Sequence, residues 1–167
     1  SVKETTTQEL AENARDEHQA RQAFLLTLSD ALRPLTDAVE IQKAAMALLA
    51  GHLGIMRAAY FEIDADQDRF VQSAGYDTDA VRLPDRMRLS DYGPHIAGAF
   101  RAGRTVVVAD TETDPQLEAQ RSAYRAIGVR AWVGVPLVKD GRLTKPFDLA
   151  TMMAPEIRAE ALKRLGK

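Results

Sequence analysis

Apolar residues recur along this chain at two periods, first a helical one and then an alternating one. From Gln8 to Arg33, "QELAENARDEHQARQAFLLTLSDALR" contains no Gly or Pro. Its front half is highly charged, with small apolar contacts at Leu10, Ala14 and Ala20 or Ala23. Its back half is richer, with Phe24, Leu25, Leu28 and Leu32 three and four apart, the spacing of one helical face. This predicts a helix that enters a domain from outside. A stripe so weak at its front cannot be buried alone, so pairing with a second chain is expected there. Pro34 punctuates. In "LTDAVEIQKAAMALLAGHLG", Thr36 or Asp37 is placed as N-cap and Glu40 as an early acid, and Val39, Ile41, Ala44, Ala45, Leu48 and Leu49 form a wide apolar face. Gly51 or Gly54 stops this domain-packing helix.

The period then drops to two. "RAAYFEID" (57–64) and "RFVQSAGY" (69–76) read as an antiparallel hairpin across the polar turn "DADQD". A long surface segment, "DTDAVRLPDRMRLSDYG", follows, of the kind that often carries binding residues. "SDYGPHIAGAFRAGR" is expected as a short helix capped by Ser90 or Asp91 and stopped by Gly103. "TVVVAD" is a buried strand. "DPQLEAQRSAYRAIG" is a helix with Asp114 as N-cap, Pro115 in its first turn and Gly128 past its end. "VRAWVGVPLVKDGRL" is a strand ending in the turn "KDG". The order helix, helix, strand, strand, helix, strand, helix, strand predicts an α+β domain with an antiparallel sheet and flanking helices.

Composition narrows the function classes. The chain has 167 residues, 46% hydrophobic and 28% charged, enough for one domain with a real core. A net charge of −2 without a long Lys/Arg run argues against nucleic-acid binding. No run of 18 apolar residues and no signal-peptide core in "SVKETTTQEL" point to a cytoplasmic protein that does not insert into a membrane. Cysteine is absent, so a disulfide, a thiolate metal site and a cysteine nucleophile are all excluded.

The order of these elements is also that of a known family. "GPHIAGAFRAGRTVVVADTETDPQLEAQRSAYRAIGVRAWVGVPLVKDGRL" closely resembles a GAF domain, nearest to those of bacterial sensor histidine kinases. The carriers are the glycine-terminated helix followed by "RTVVVAD", the "DP" helix start, the "GVR" turn and "VGVPLVKDGRL". The resemblance divides the chain into an N-terminal signalling or dimerisation helix (1–23), a GAF-like domain (24–143) and a divergent tail (144–167). It implies a GAF-like, PAS-related antiparallel sheet behind a long N-terminal helix, with a pocket between sheet and crossing helices. It also implies a regulatory role in bacterial two-component signal transduction, by binding a small molecule or mediating homodimerisation through the N-terminal helix. No kinase motif is found in this chain, so it is not expected to be an enzyme, and any catalytic domain lies elsewhere.

The tail departs from the pattern. A GAF domain continues after this point with an apolar central strand, whereas here the chain reads "TKPFDLATMMAPEIRAEALKRLGK". Pro146 cannot donate a ladder hydrogen bond and is a poor central-strand residue. Two solutions are open. "DLATMM" serves as a short replacement strand after a longer loop, with "APEIRAEALKRLG" as a last helix, or the strand is missing and a partner chain fills the edges.

Candidate chemistry centres on Asp91, Tyr92 and His95, packed within five residues. Structurally, Asp91 would cap, Tyr92 would pack and His95 would sit on a partly exposed first turn. In the resembling family this helix borders the pocket, which makes the three candidate ligand contacts. A hydrolase using Ser90, His95 and Asp91 is the weakest reading, since no nucleophile-elbow signature accompanies them. Alternation places Arg130, Trp132, Gly134 and Pro136 on one strand face, a possible pocket floor, and Ala131, Val133, Val135 and Leu137 on the other, read as core. Tyr60, Phe100 and Tyr124 complete the candidate pocket, with packing as the alternative role of Tyr60, Phe61 and Phe100. His18, His52 and His95 are scattered, so no metal site is expected. Asp64, Asp66 and Asp68 open like a calcium loop, but Arg69 and Gly75 break its geometry, leaving a solvated turn. Covalent bilin attachment and the methionine-sulfoxide reductase chemistry of some GAF proteins both fall with the missing cysteine. Haem, with His95 as its ligand, and a cyclic nucleotide stay open as ligands.

Overall fold

The computed structural model of the chain describes residues 2–78, 83–84 and 86–151, with residues 144–151 described by backbone alone. Helix α1 (Val2–Leu32) runs without interruption, and none of its residues is buried. Phe24, Leu28 and Leu32, each four apart, are its half-buried positions and mark the face that meets the next helix. Helix α2 (Ala38–Leu53) begins at Asp37, whose carboxylate accepts the Glu40 N–H at 2.9 Å. It ends at Gly54, where φ of 65° takes the left-handed turn that favours glycine. The Phe24 ring stacks on His52 with centroids 4.0 Å apart, fixing the end of α1 to the end of α2.

Six strands form one antiparallel sheet: β1 (Arg57–Ile63), β2 (Arg69–Asp77), β3 (Met87–Arg88), β4 (Val106–Val108), β5 (Ala131–Lys139) and β6 (Arg142–Thr151), in the order β3-β2-β1-β6-β5-β4. Both faces are covered. One face carries α2, with Met46, Ala50 and Leu53 packed on Ala58 and Val133. The other carries α3 (Pro94–Arg101) and α4 (Arg121–Ala126), whose Ile96, Phe100 and Tyr124 join Ala59, Phe61 and Trp132 in the larger core. The alternation of β1 therefore sorts Ala58 and Tyr60 to the α2 face and Ala59 and Phe61 to the α3 face. A bulge between Tyr60 and Phe61 leaves Ser73 of β2 unopposed, and its hydroxyl donates to the Tyr60 carbonyl.

The expected helix from Ser90 is divided in two. Residues Leu89–Tyr92 form a 3-10 turn, and α3 starts only after Gly93. At φ 128° and ψ 122° Gly93 occupies backbone space that other residues rarely enter. Asp91 therefore caps nothing here. Asp68 fastens this turn instead, accepting from the Ser90 N–H and hydroxyl, both at 2.9 Å. Asp114 caps as read, and a 3-10 turn (Pro115–Gln120) leads into α4.

The central strand is present, and it corrects the expectation of a loop after Leu143. β6 follows the "KDG" turn directly and passes through Pro146 to Thr151, so the boundary drawn at residue 143 falls inside a strand. Pro146 lies opposite Pro136 of β5, so the two missing N–H groups share one rung. On the other side, the ladder to β1 takes up only at Phe147. Nearer the turn, the Gln67 carboxamide replaces a backbone rung: its Nε2 donates to the Leu143 carbonyl and its Oε1 accepts the Leu143 N–H, each at 3.0 Å. Leu137, read as core, is 42% exposed where β5 runs out past the helices. Met152, Met153 and the expected C-terminal helix lie outside the described residues.

Candidate functional site

Between the sheet and the α3–α4 layer lies a cavity of about 60 Å³. Its floor comes from every second residue of β1 (Arg57, Ala59 and Phe61), from Phe70 of β2 and from Trp132 of β5. Its roof comes from Ile96 and Phe100 of α3, Tyr92 of the preceding turn and Tyr124 of α4. Leu83, Met87 and Leu89 close the side nearest β3.

Six aromatic side chains run round it in continuous contact. Phe61 meets Phe70 edge-to-face, Phe70 meets Tyr92, Tyr92 meets Tyr124, Tyr124 stacks beside Trp132, and Trp132 meets Phe100, with centroids 5.1 to 6.2 Å apart. Edge-to-face packing of this kind adds to burial and gives the wall a fixed shape.

The polar side chains on the wall are Arg57, Tyr92, Tyr124 and Trp132. Arg57 is 5% exposed. Its Nε donates to Asp77 at 2.6 Å and its Nη1 to the Ile127 carbonyl at 2.9 Å. The guanidinium is thus neutralised, and it ties the end of β2 to the segment after α4. The Tyr124 hydroxyl donates to the Tyr92 carbonyl at 2.7 Å, clamping α4 to the turn before α3. Burial, and secondarily the charge of Asp91, push the Tyr92 phenol above its ordinary range. The indole Nε1–H of Trp132 is buried and has no hydrogen-bond partner. No carboxylate, histidine, serine or lysine stands among the described lining residues.

Of the eight residues singled out in the sequence, the structure brings together Tyr92, Phe100, Tyr124 and Trp132. Tyr60 packs under α2, on the other side of the sheet, because the β1 alternation turns it away. Asp91 is exposed and borders a separate outer cleft with Arg69, Arg86 and Arg88; Tyr92 forms part of both. His95 is exposed on the first turn of α3, so it cannot ligate a group held in the cavity. Arg130 is exposed and paired bidentately with Asp110 at 3.1 Å. The Ser90 hydroxyl donates to Asp68 at 2.9 Å. Sequence reading missed Arg57, although the period of "RAAYFEI" places it on one face with Ala59 and Phe61; a charged strand residue reads as solvent-facing. Among the described residues no cluster of His, Asp and Glu could hold a metal, and the Asp66 carboxylate spends itself on the N–H groups of Asp68 and Arg69.

A sheet closed by one helix on one face and roofed over an aromatic cavity on the other defines an α+β domain with a cavity on one side of its sheet. A sequence model of the GAF domain matches residues 36–144, and the chain belongs to the GAF domain family, whose members are generally sensory or regulatory. Among solved structures it is similar to the phycocyanobilin-bound GAF domain of a cyanobacterial phytochrome, with a TM-score of 0.65, 16% identity and coverage of 87% of this chain and 88% of that one. It is similar to the free methionine-R-sulfoxide reductase of Neisseria meningitidis in complex with its substrate, with a TM-score of 0.61, 20% identity and coverage of 87% and 88%. The chromophore-binding domain of Stigmatella aurantiaca phytochrome P1 matches at a TM-score of 0.59 and 17% identity, over 89% of this chain and 57% of that one. At these identities the likeness is one of fold. No curated protein matches the sequence. Among the described residues no helix is long and apolar enough to cross a membrane.

The bilin of the phytochrome relatives does not fit the wall found here. A cavity of about 60 Å³ is far below the roughly 300–1,000 Å³ of pockets that hold drug-sized ligands. The sequence also supplies no cysteine for a covalent attachment.

Proposed function

We propose that this chain is the regulatory GAF domain of a bacterial signal-transduction protein, in the manner of a sensor histidine kinase, and that it binds a small molecule in the aromatic cavity and passes the event to α1. The aromatic cavity carries this reading, because a core packed for stability alone has few voids larger than a water molecule. The route outward is physical. β1 presents Arg57, Ala59 and Phe61 to the cavity and Ala58 to α2, and α2 holds α1 through the His52–Phe24 stack. A ligand shifts α1 only as far as it binds two arrangements of these layers with different affinity. The chemistry is binding, without an enzymatic step, and the setting is the cytoplasm.

A second reading, a ligand-free dimerisation module, draws on α1 itself: thirty-one residues without one buried, exposing Leu10, Leu25 and Leu26. Native mass spectrometry of protein purified from its own host separates the two. A small co-purifying mass, lost in the cavity-filling variant Ala59→Leu, is the expected result. A bare polypeptide, together with no thermal stabilisation across a small-molecule library, would leave the module.

A further inference from the structure

Resting on the reading of the aromatic cavity as a ligand site, we propose that its ligand is a small amphipathic acid. The apolar chain occupies the cavity, and the anionic head group lies among the arginines of the outer cleft beyond Tyr92.

The two spaces are neighbours. Tyr92 and Met87 line the cavity of about 60 Å³, and both also line the outer cleft of about 400 Å³. A single layer of side chain therefore divides them. Met87, unbranched and with three rotatable bonds, is the adaptable part of that layer. At roughly 10–15 Å³ for each water-sized group, the inner space takes about half a dozen non-hydrogen atoms or fewer. A longer molecule continues past the shared wall. The inner wall includes Ala59, Phe61, Ile96 and Phe100, a surface that suits a hydrocarbon chain.

The outer cleft is built from cations. Arg69, Arg86 and Arg88 line it. Arg69 of β2 and Arg88 of β3 are direct partners in the ladder, and like charges directly opposite one another destabilise a strand pair. Asp66 reaches Arg69 only at 3.7 Å, and Asp91 is the carboxylate on the described wall of the cleft. A bound anion turns the opposition of Arg69 and Arg88 into a shared attraction. Each guanidinium presents a fork of N–H donors that fits a carboxylate or a phosphate. Tyr92, whose phenol is kept protonated by burial, adds no charge at the boundary.

Methyl correlation spectra of the protein titrated with hexanoate, hexyl phosphate, hexanamide and acetate test the proposal. Ile96 reports on the cavity and Met87 on the shared wall. One or both six-carbon acids are expected to move both methyl signals and to bind at least about threefold more tightly than hexanamide at low salt. That preference should fall to near unity in the double variant Arg86→Gln/Arg88→Gln, with the affinity for hexanamide unchanged. Added salt should shrink it as well. Acetate, a head without a chain, is expected to leave Ile96 unmoved. Equal binding of acids and amide, or a preference that survives both substitutions, overturns the ligand class while leaving the cavity a binding site. Acids that move Met87 alone, while hexanamide moves Ile96, overturn the joined site and make the cleft a separate anion patch. If no probe moves Ile96, both the ligand class and the reading of the cavity as a site fall. The comparison of acid with amide in the unmodified protein decides the matter even if the variant does not fold.

Discussion

Two side chains do work that their residue types do not advertise. Gln67 sits at φ 60°, in the left-handed region, at the β1–β2 turn, where Gly or Asn would be the easy choice. It is held there by what its carboxamide does, pairing both backbone groups of Leu143 at the start of the central strand. Gln67→Ala removes two half-buried hydrogen bonds and leaves the Leu143 N–H and carbonyl unmet, so a loss of about 1–3 kcal/mol in denaturant unfolding is expected. A change within error would show that water replaces the amide without cost. Tyr92 carries a pH signature. Its folded pKa is raised above the unfolded value of about 10 by burial and by Asp91. The stability it lends is therefore complete below about pH 10 and is lost as pH rises through the folded value, because the unfolded chain gives up the proton first. Tyr92→Phe should flatten the alkaline fall of the denaturation midpoint while leaving its neutral value within about 1 kcal/mol; parallel alkaline limbs would show that the phenol does not feel its burial.

At the scale of elements, local signals were legible wherever one residue decides a boundary. Asp37, Gly54, Asp114 and Gly128 all act where the sequence places them. The boundary between Tyr92 and Pro94 was not legible, because Ser90, Asp91 and Pro94 make a plausible helix start while the actual break belongs to Gly93. A Cβ there would stand 3.1 Å from the His95 ring and 3.2 Å from Leu117, on top of an unfavourable φ. Gly93→Ala should thus cost about 1–3 kcal/mol, or roughly 2–12 °C in melting temperature for a chain of this size. The reduction should be larger than for Gly51→Ala, where open space surrounds the new methyl group; equal effects would place the strain elsewhere. β6 was legible in its second half, where "DLAT" of the strand read from "DLATMM" pairs with β1 and β5, but its first half was not, for a different reason. Pro146 argues against a central strand on its own account, and only the three-dimensional register reveals that it faces Pro136 and stops short of the β1 ladder.

For the whole molecule, the fold class and order of elements could be read from period and punctuation, whereas the site could be read only in half. Tyr92, Phe100, Tyr124 and Trp132 are where an apolar-pocket reading puts them, because aromatic residues on helices and strands of one layer converge. Tyr60 was placed in the pocket and Arg57 was passed over because both faces of this sheet are covered, so alternation tells which residues share a face but not which face holds the cavity. The same limit applies to α1, for which a role in dimerisation is proposed. A helix of 31 residues spans about 46 Å, and residues 2–23 are exposed along their whole length. Helical peptides with so little burial are marginal in water, and Leu10, Leu25 and Leu26 remain uncovered after Phe24, Leu28 and Leu32 have met α2. On the proposal of a homodimer, a second copy of α1 would supply the missing apolar surface as a two-helix seam. Light scattering at rising concentration should therefore report twice the chain mass. Leu10→Glu combined with Leu25→Glu should yield monomer, with the helical signal of α1 reduced and the β-sheet signal kept, since neither leucine touches the buried core. A monomeric unmodified chain at every concentration would make α1 a connector that is helical without a partner, and coupling from the cavity would then have to end at α2.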